Sequence, residues 1–371
     1  MLGRKIKISV LLVLFTTSLA FCQSEVLKPV VNNLAYYKQK KDLKYLAAAK
    51  KSIDSLITNH ADSADTKKIV YRAVVNSTIA YVDSANTLKL PVDFFNKTAD
   101  LVDKLMAKKR LGVYQSEVEY AKRCIANVYI RRGFVFMSTS DFVNANQVFI
   151  KALKYAPSFT QLNFYIAYCS NKLGNMQDAA KYYTYLINAD STQSQYVEAL
   201  SGIYRSMGDT SKALETVQKG RKLLPNDRLL LLDEANIYNN RKDYHALEPL
   251  LGQLLDIYPN NADIAFVAAN CYDNLNRYDK AETYYQQAIE LNGAAYDPVY
   301  NLGLLYFRES LVKTADKQKY IANAIQLLDK ANEISPNDIR GLQVLRLVYI
   351  QTQNKTQLIN VNNKLKQLTN Q

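Results

Sequence analysis

The residue types that carry out chemistry in enzymes are scarce in this sequence. It contains two histidines, His60 and His245, and neither has a second histidine or a cysteine at metal-ligand spacing. Glycine-rich phosphate-binding patterns and the G-x-S-x-G pattern of serine hydrolases are absent. The carboxylates are dispersed along the chain, which is the distribution expected of solvent-exposed helix surfaces. We therefore predict no catalytic residue, no metal site, no cofactor and no small-molecule substrate.

The cysteines indicate packing rather than reactivity. One of the four, Cys22, ends the first apolar run of the chain, and the others are Cys124, Cys169 and Cys271. Three cysteines cannot all pair, and no C-x-x-C occurs. We expect these three to be small buried residues between helices.

The first 22 residues have the organisation of an export signal. Three basic residues precede an apolar run over residues 8–21, which is short for a membrane span and typical of a signal peptide. Ala20 and Cys22 place small residues at −3 and −1 of a cut before Gln23. A lipid on Cys22 is the second interpretation, which Phe21 disfavours, and an uncleaved anchor is the third. We predict an exported protein of the periplasm or cell envelope.

Composition favours long helices with half-buried surfaces. The 371 residues are 48% hydrophobic, and only 11 are glycine and 8 proline. The chain has 28 tyrosines and no tryptophan. Because tyrosine has an apolar ring and a polar tip, a chain rich in it suits surfaces that are only partly buried.

A pattern of small and aromatic residues recurs at a fixed period. In residues 127–157 the pattern consists of Tyr129, Gly133, Phe136, Ala145, Phe149, Ala152 and Pro157. Counted from position 126, units start near 160, 194, 228, 262 and 296. Nine extra residues interrupt the sixth unit, and a weaker seventh starts near 339. The pattern therefore covers about two thirds of the chain.

These spacings resemble the tetratricopeptide repeat, a 34-residue helix–turn–helix unit. The chain departs from the family pattern only mildly. Tyr129 occupies the position of the usual tryptophan, Ser191 and Gly293 replace the terminal proline, and Pro249 falls early in a second helix. The resemblance implies an all-α fold, a right-handed superhelix of about seven units. Glycine or alanine at position 8 lets the first helix of a unit touch the second, and stacked units bury the apolar faces.

The predicted organisation has three parts. Residues 1–22 form the signal peptide, residues 23–125 an N-terminal helical region, and residues 126–371 the repeat array. The middle part contains helical patterns near residues 34–58, 66–85 and 91–109, with a polar break at 59–65 and Pro91 at the start of the third helix. Degenerate repeats and a separate helical subdomain are both open interpretations of this region.

In the family that the chain resembles, first-helix positions 2, 5, 9, 12 and 13 line the inner, concave face. The residues of this chain that map to these positions, and that we predict to line a partner-binding groove, are Phe164, Tyr168, Asn171, Arg205, Asn236, Asn239, Asn240, Phe266, Asn270, Asp273, Asn274 and Tyr300. Asparagine can pair with a peptide backbone of any sequence, and aromatic rings give contact area. The alternative is that the asparagines are simply common in such repeats and that Phe164 and Phe266 pack between helices.

The sequence therefore predicts a non-catalytic scaffold that binds a segment of another envelope protein. The carboxylate clamp of chaperone-binding family members is absent, because its lysine positions hold other residues. RNA binding is disfavoured by the period and the export signal.

A basic N-terminal third supports a second hypothesis. Residues 23–125 carry 18 basic and 11 acidic side chains. Two clusters stand out, and their members are Lys38, Lys40, Lys41 and Lys44, and Lys104, Lys108, Lys109 and Arg110. They are consistent with docking on anionic lipid or polysaccharide, or with an ordinary solvated helix surface.

Overall fold

The chain folds into α-helices throughout the residues that its computed structural model describes, 25–108, 111–312 and 315–369, with no strand among them. It divides between Leu173 and Gly174 into two compact units, which we call the N-terminal unit and the C-terminal unit. The predicted signal peptide lies outside the described residues, and so does Cys22.

The N-terminal unit contains eight described helices. They are α1 (Lys28–Lys40), α2 (Leu43–Ser55), α3 (His60–Ala64), α4 (Thr66–Val82), α5 (Phe94–Met106), α6 (Gln115–Ser138), α7 (Phe142–Tyr155) and α8 (Gln161–Lys172). Helices α1 and α2, α4 and α6, and α6 and α7 pack against each other.

The C-terminal unit contains eleven described helices. They are α9 (Met176–Ala189), α10 (Ser194–Ser206), α11 (Thr210–Leu223), α12 (Arg228–Asn240), α13 (Tyr244–Ile257), α14 (Ala262–Asn274), α15 (Tyr278–Leu291), α16 (Tyr296–Val312), α17 (Lys317–Ile334), α18 (Ile339–Gln351) and α19 (Lys355–Thr369). Each helix packs against the next along the chain, as in a helical solenoid. The predicted all-α repeat array is confirmed. The predicted unit starts at 194, 228, 262, 296 and 339 coincide with the first residues of α10, α12, α14, α16 and α18.

The turns inside the pairs repeat with the same period. The side chains of Asp141, Asn175, Asp209 and Asp243 each accept a hydrogen bond from a backbone N–H of the helix that follows. Such caps stabilise a helix by about 1 kcal/mol. The residue before each cap has positive φ, and the set is Ser140, Gly174, Gly208 and Lys242. Local hydrogen bonding thus ends one helix and starts the next every 34 residues.

Small residues bring the paired helices into contact, as the sequence predicted. A Cβ atom on Gly133 of α6 would overlap the ring of Phe149 of α7. One on Gly303 of α16 would lie 2.9 Å from Cγ of Leu328 in α17. Any larger residue at either position would push the two helices apart, so these glycines set the spacing within the pair.

One buried core runs through the C-terminal unit from α12 to α19. It includes Leu251, Leu254, Tyr285, Leu328 and Val348, all without solvent exposure. No helix pair contains this cluster by itself, because residues of neighbouring pairs complete it. Burial of apolar area against the next pair is therefore what holds the stack together.

The described structure refines the helix boundaries in the N-terminal unit. The predicted helical stretch 34–58 is broken at Lys41, whose φ is 57°, and Asp42 caps the new helix by accepting from the N–H of Lys44. The polar break at 59–65 contains the short helix α3. Pro91 does not begin the third helix, which starts at Phe94. Position 126 lies inside α6, which begins at Gln115.

Farther along the chain, the extra residues of the sixth unit lengthen α16 and α17, and Pro249 lies within α13. None of the described helices is both long and apolar enough to cross a membrane.

Candidate functional site

The twelve residues predicted to line a groove lie on first helices of the repeats, but in both units. Phe164, Tyr168 and Asn171 belong to α8 of the N-terminal unit, and the other nine to α10, α12, α14 and α16 of the C-terminal unit. We therefore describe the two sets separately.

The aromatic residues of α8 form part of an aromatic cluster. The ring of Tyr168 lies 6.0 Å from the ring of Phe142 on α7 and 6.5 Å from that of Phe164. Lys172 places its ammonium 5.6 Å from the Tyr168 ring centroid. Both aromatic side chains are half-buried, whereas Asn171 is exposed. Phe164 and Tyr168 therefore contribute to the packing of α7 against α8, and part of each ring stays accessible to solvent.

Arg205 links two first helices in the C-terminal unit. Its guanidinium lies 2.9 Å from a carboxylate oxygen of Asp233 on α12, and the hydroxyl of Ser201 donates to the other oxygen at 2.7 Å. The Asp233 side chain is 8% exposed. A carboxylate buried to this extent needs its charge and lone pairs satisfied, so Arg205 is committed to a structural contact.

Asn270 and Asp273 belong to a second network. The hydroxyl of Tyr285 lies 2.8 Å from Oδ1 of Asn270, and Nδ2 of Asn301 donates to the same oxygen at 3.0 Å. Asp273 forms an ion pair with Arg308 of α16. Burial raises the pKa of Tyr285, and the neighbouring Asp273 carboxylate adds to this shift. The network joins α14, α15 and α16 and occupies polar groups that the sequence assigned to a partner.

Phe266 and Tyr300 are also held by neighbours. Phe266 lies against Tyr285, with ring centroids 6.1 Å apart. Tyr300 stacks on Tyr296 at 5.5 Å, and the Arg340 guanidinium lies 5.6 Å from both ring centroids. Both predicted residues are half-buried, so each keeps an accessible edge while packing within the unit.

In the C-terminal unit, the predicted residues whose side chains remain unpaired lie on helix α12. Asn236 and Asn240 are exposed and Asn239 is half-buried, and none of these amides makes a side-chain hydrogen bond to another described residue. The amide of Asn274, by contrast, donates to the backbone of its own helix at Asn270. Three open amides on one helix give a row of donors and acceptors available to a ligand.

An apolar patch lies on the same face of α12. Leu229 is 49% exposed and Leu232 half-buried, and both share the helical spacing of Asn236 and Asn240. We call Leu229, Leu232, Asn236, Asn239 and Asn240 the α12 face. The two leucines lie at the N-terminal end of the helix and the three asparagines toward its C-terminal end. Leu229 was absent from the predicted set, although its helical register could have included it.

The sequence also missed the partners of the predicted residues. Asp233, Asn301 and Arg308 complete the two networks. In addition, a tyrosine near the end of the first helices reaches back 20 residues to the preceding second helix. Three pairs show this contact, and they are Tyr238 with Gln218, Tyr306 with Gln286 and Tyr349 with Asp329. The regular spacing of these tyrosines was a visible signal.

The basic clusters of the N-terminal third are only partly described. Lys38, Lys40, Lys41 and Lys44 are exposed around the turn between α1 and α2, and Lys44 pairs with Asp42 at 3.0 Å. The second cluster begins with Lys104 and Lys108 near the end of α5, and Lys108 donates to Thr66 at 3.0 Å. Its remaining members, Lys109 and Arg110, lie outside the described residues. In the described part of the chain, no three histidine, cysteine or acidic side chains converge as metal ligands would.

Comparison with known families identifies two segments. Residues 132–194 and residues 241–302 each match a family model described as tetratricopeptide repeat. One match lies over α6–α9 and the other over α13–α16, so both cover helix pairs of the array.

Comparison with individual proteins gives partial matches. The chain is 20% identical over 195 residues to the human protein O-mannosyl-transferase TMTC1, covering 49% of this chain and 22% of that protein. The chain also has partial similarity to two solved structures. One is MamA, at 22% identity over 46% of this chain and 95% of that chain, with a TM-score of 0.41. The other is YrrB, described as a TPR protein with an unusual peptide-binding site, at 17% identity over 53% of this chain and 97% of that chain, with a TM-score of 0.46.

Proposed function

Because this chain belongs to the tetratricopeptide repeat family, we propose that it is a non-catalytic scaffold that binds a partner polypeptide on the α12 face. The observation that carries the proposal is the row of open amides of Asn236, Asn239 and Asn240. Each amide offers two N–H donors and one carbonyl acceptor, which match the backbone groups of an extended segment whatever its sequence. Leu229 and Leu232 supply apolar contact area beside them.

The networks around the α12 face support binding without rearrangement. Asp233 of α12 is fixed by Arg205 and Ser201 from α10. On the following first helix, Asn270 and Asp273 are fixed by Tyr285 and Arg308. A surface whose supports are already ordered loses less conformational entropy when a ligand binds.

Site-specific photo-crosslinking tests this function. A photoreactive residue replaces Asn236 or Asn240 in one set of proteins, and Asn188, an exposed asparagine of the second helix α9, in the matched control. We expect one partner to be crosslinked from positions 236 and 240 and not from 188. The triple variant Asn236→Ala, Asn239→Ala and Asn240→Ala should lose the same partner while keeping its thermal unfolding midpoint. Equal crosslinking from all three positions would contradict the proposal.

We further propose that the protein works in the cell envelope after export. The support is the signal-like segment of residues 1–22, whose predicted cut precedes Gln23. The mass of the mature protein purified from the envelope distinguishes the three interpretations of Cys22. A chain that begins at Gln23 supports cleavage, whereas a chain that begins with an acylated Cys22 supports a lipid anchor, and an unprocessed mass supports an uncleaved anchor.

The exposed lysines at the α1–α2 turn favour a second function, docking on an anionic surface. Lys38, Lys40 and Lys41 lie within four residues of one another at a helix end. Sedimentation with anionic vesicles should show binding at low salt that is lost at high salt, because exposed charges are screened. Changing these three to glutamine should weaken it, whereas the matched set Lys222→Gln, Lys355→Gln and Lys366→Gln should not. No binding at low salt would end this hypothesis.

A further inference from the structure

A cavity of about 390 Å³ lies in the N-terminal unit, between the end of α4, the connection 83–93 and one face of α6, and it is open to solvent along Pro91, Val92 and Val135. Its walls are mainly apolar, and they include Ile79, Pro91, Phe94, Val128, Val135 and Phe136. This volume is within the range of small-molecule sites, which are typically apolar clefts with a few converging polar groups.

The connection that forms one wall is held in shape by its own side chains. The Asp83 carboxylate accepts from the N–H of Thr87 at 2.7 Å and from that of Leu88 at 2.9 Å. The amide of Asn86 accepts from the N–H of Leu90 at 2.8 Å and donates to the carbonyl of Leu90 at 3.0 Å. Hydrogen bonds of this kind between side chains and backbone order a loop that has no helix or strand, so this wall is formed before any ligand binds.

Two consecutive arginines of α6 supply the charge of the cavity. Arg131 donates from Nη1 to the carbonyl oxygen of Tyr81 at 3.0 Å, and the Arg132 guanidinium lies 4.2 Å from the ring centroid of Phe95. Within the described residues neither forms an ion pair. The carboxylate that lines the cavity, Asp83, is already engaged by two backbone N–H groups.

Neither guanidinium is paired with a carboxylate among the described residues, although Asp83 keeps its negative charge elsewhere in the cavity wall. Burial lowers the pKa of Arg131, and the positive charge of Arg132 lowers it further. Arg131 is half-buried and Arg132 exposed, so an anion placed beside Arg131 is screened by water less than it would be at a fully exposed arginine. A carboxylate is the natural complement, because its two oxygens match the fork of donors on a guanidinium.

We propose that this cavity binds a small organic acid, with its carboxylate at Arg131 and Arg132 and its apolar body against Pro91, Phe94 and Phe136. The cavity has room for about 13 water-sized volumes at ~30 Å³ each, which suits a ligand of roughly a dozen non-hydrogen atoms. The site lies in the N-terminal unit and shares no residue with the α12 face. It would add a small-molecule ligand to a chain whose sequence indicated none.

Calorimetric titration of the full chain with 4-phenylbutyrate tests the site, with 4-phenylbutanamide as the neutral control of equal size. We expect the acid to bind and the amide to bind at least about tenfold more weakly, which corresponds to ~1.4 kcal/mol for the lost charge-assisted contacts. Arg132→Gln should weaken acid binding at least about tenfold, because it removes one of the two guanidinium groups that face the carboxylate.

Arg131→Gln should weaken acid binding as well, since glutamine keeps a donor for the Tyr81 carbonyl but loses the charge. Arg123→Gln is the matched control, because Arg123 is an exposed arginine of the same helix that does not line the cavity. It should bind the acid as the wild type does. Equal binding of acid and amide, unchanged binding by Arg132→Gln, or no binding of the acid at millimolar concentration would each overturn the proposal.

Discussion

At the scale of single residues, the same chemical type serves different ends according to its neighbours. Asn236 and Asn270 occupy equivalent positions of consecutive units, yet the amide of Asn236 is open while that of Asn270 accepts from Tyr285 and Asn301. The turn before each second helix shows the same effect in the backbone. Gly208 adopts a φ of 78° without cost, whereas Lys242 adopts 55° with a Cβ atom in place.

The turn residues predict opposite responses to substitution. Lys242→Gly should raise the free energy of unfolding by about 0.5 kcal/mol, since relief of left-handed strain exceeds the entropy that glycine adds to the unfolded chain. Gly208→Ala should lower it by about 1 kcal/mol. Urea unfolding measures both changes. Lys242→Ala is the control and should be nearly neutral, so a gain equal to that of glycine would refute the strain argument.

At the scale of elements, neighbouring helices are joined by polar links as well as by the core. The Arg205–Asp233 pair connects α10 to α12, and the Tyr349–Asp329 hydrogen bond, at 2.8 Å, connects α18 to α17. The first pair includes a nearly buried carboxylate, and the second a carboxylate whose pKa burial raises. Both links therefore have consequences for stability that a surface ion pair would not have.

Loss of Arg205 should destabilise the C-terminal unit. Arg205→Ala leaves the Asp233 carboxylate with Ser201 alone, and we expect a cost of about 1–2 kcal/mol in urea unfolding, moderated by the exposure of the arginine. The control is Lys219→Ala, which breaks an exposed pair with Glu215 and should cost less than about 0.5 kcal/mol. Equal effects of the two variants would show that Arg205 is free for a partner.

The raised pKa of Asp329 predicts a dependence on pH. Because the folded carboxyl holds its proton more tightly than the unfolded one, its contribution to stability falls as pH rises from the unfolded pKa through the folded pKa. Asp329→Asn keeps an acceptor for Tyr349 and removes this loss. Its melting temperature should exceed that of the wild type at pH 7 and match it near pH 3. Asp256→Asn, at an exposed site of α13, should show no such divergence. A constant offset across pH would contradict the assignment.

At the scale of the whole molecule, stability comes from neighbours in sequence order within each unit. The core of the C-terminal unit passes from α12 to α19 through packing between adjacent helices. An array of this kind approximates a one-dimensional system, in which a local defect acts on nearby units and ends unfold first. A destabilising substitution in the middle of the array should therefore affect more helices than one in the terminal helix.

Hydrogen exchange separates these two cases. Leu251→Ala removes a fully buried side chain of α13 and should cost about 2–5 kcal/mol, lowering amide protection across α12–α15. Val361→Ala, in the terminal helix α19, should lower protection in α18 and α19 and leave α12 unchanged. Uniform loss of protection in both variants would mean that the C-terminal unit unfolds as one cooperative block.

The sequence by itself determined the helices of the repeat array in the C-terminal unit and their order. The 34-residue recurrence and the small residues at Gly133 and Gly303 are local signals, since they act within one unit or between its two helices. It could not define α1 and α2 as separate helices, because the break at Lys41 depends on a single left-handed residue and an aspartate cap.

Only the tertiary structure decided which of the predicted residues are available. Arg205, Asn270 and Asp273 are engaged by residues 12–35 positions away, and pairing at that separation depends on how helices pack rather than on the register of one helix. The amides of α12 stay open for the same reason, because no neighbouring helix among the described residues brings a partner to them. Position on a helix face follows from periodicity, whereas the pairing of a side chain follows from its neighbours in space.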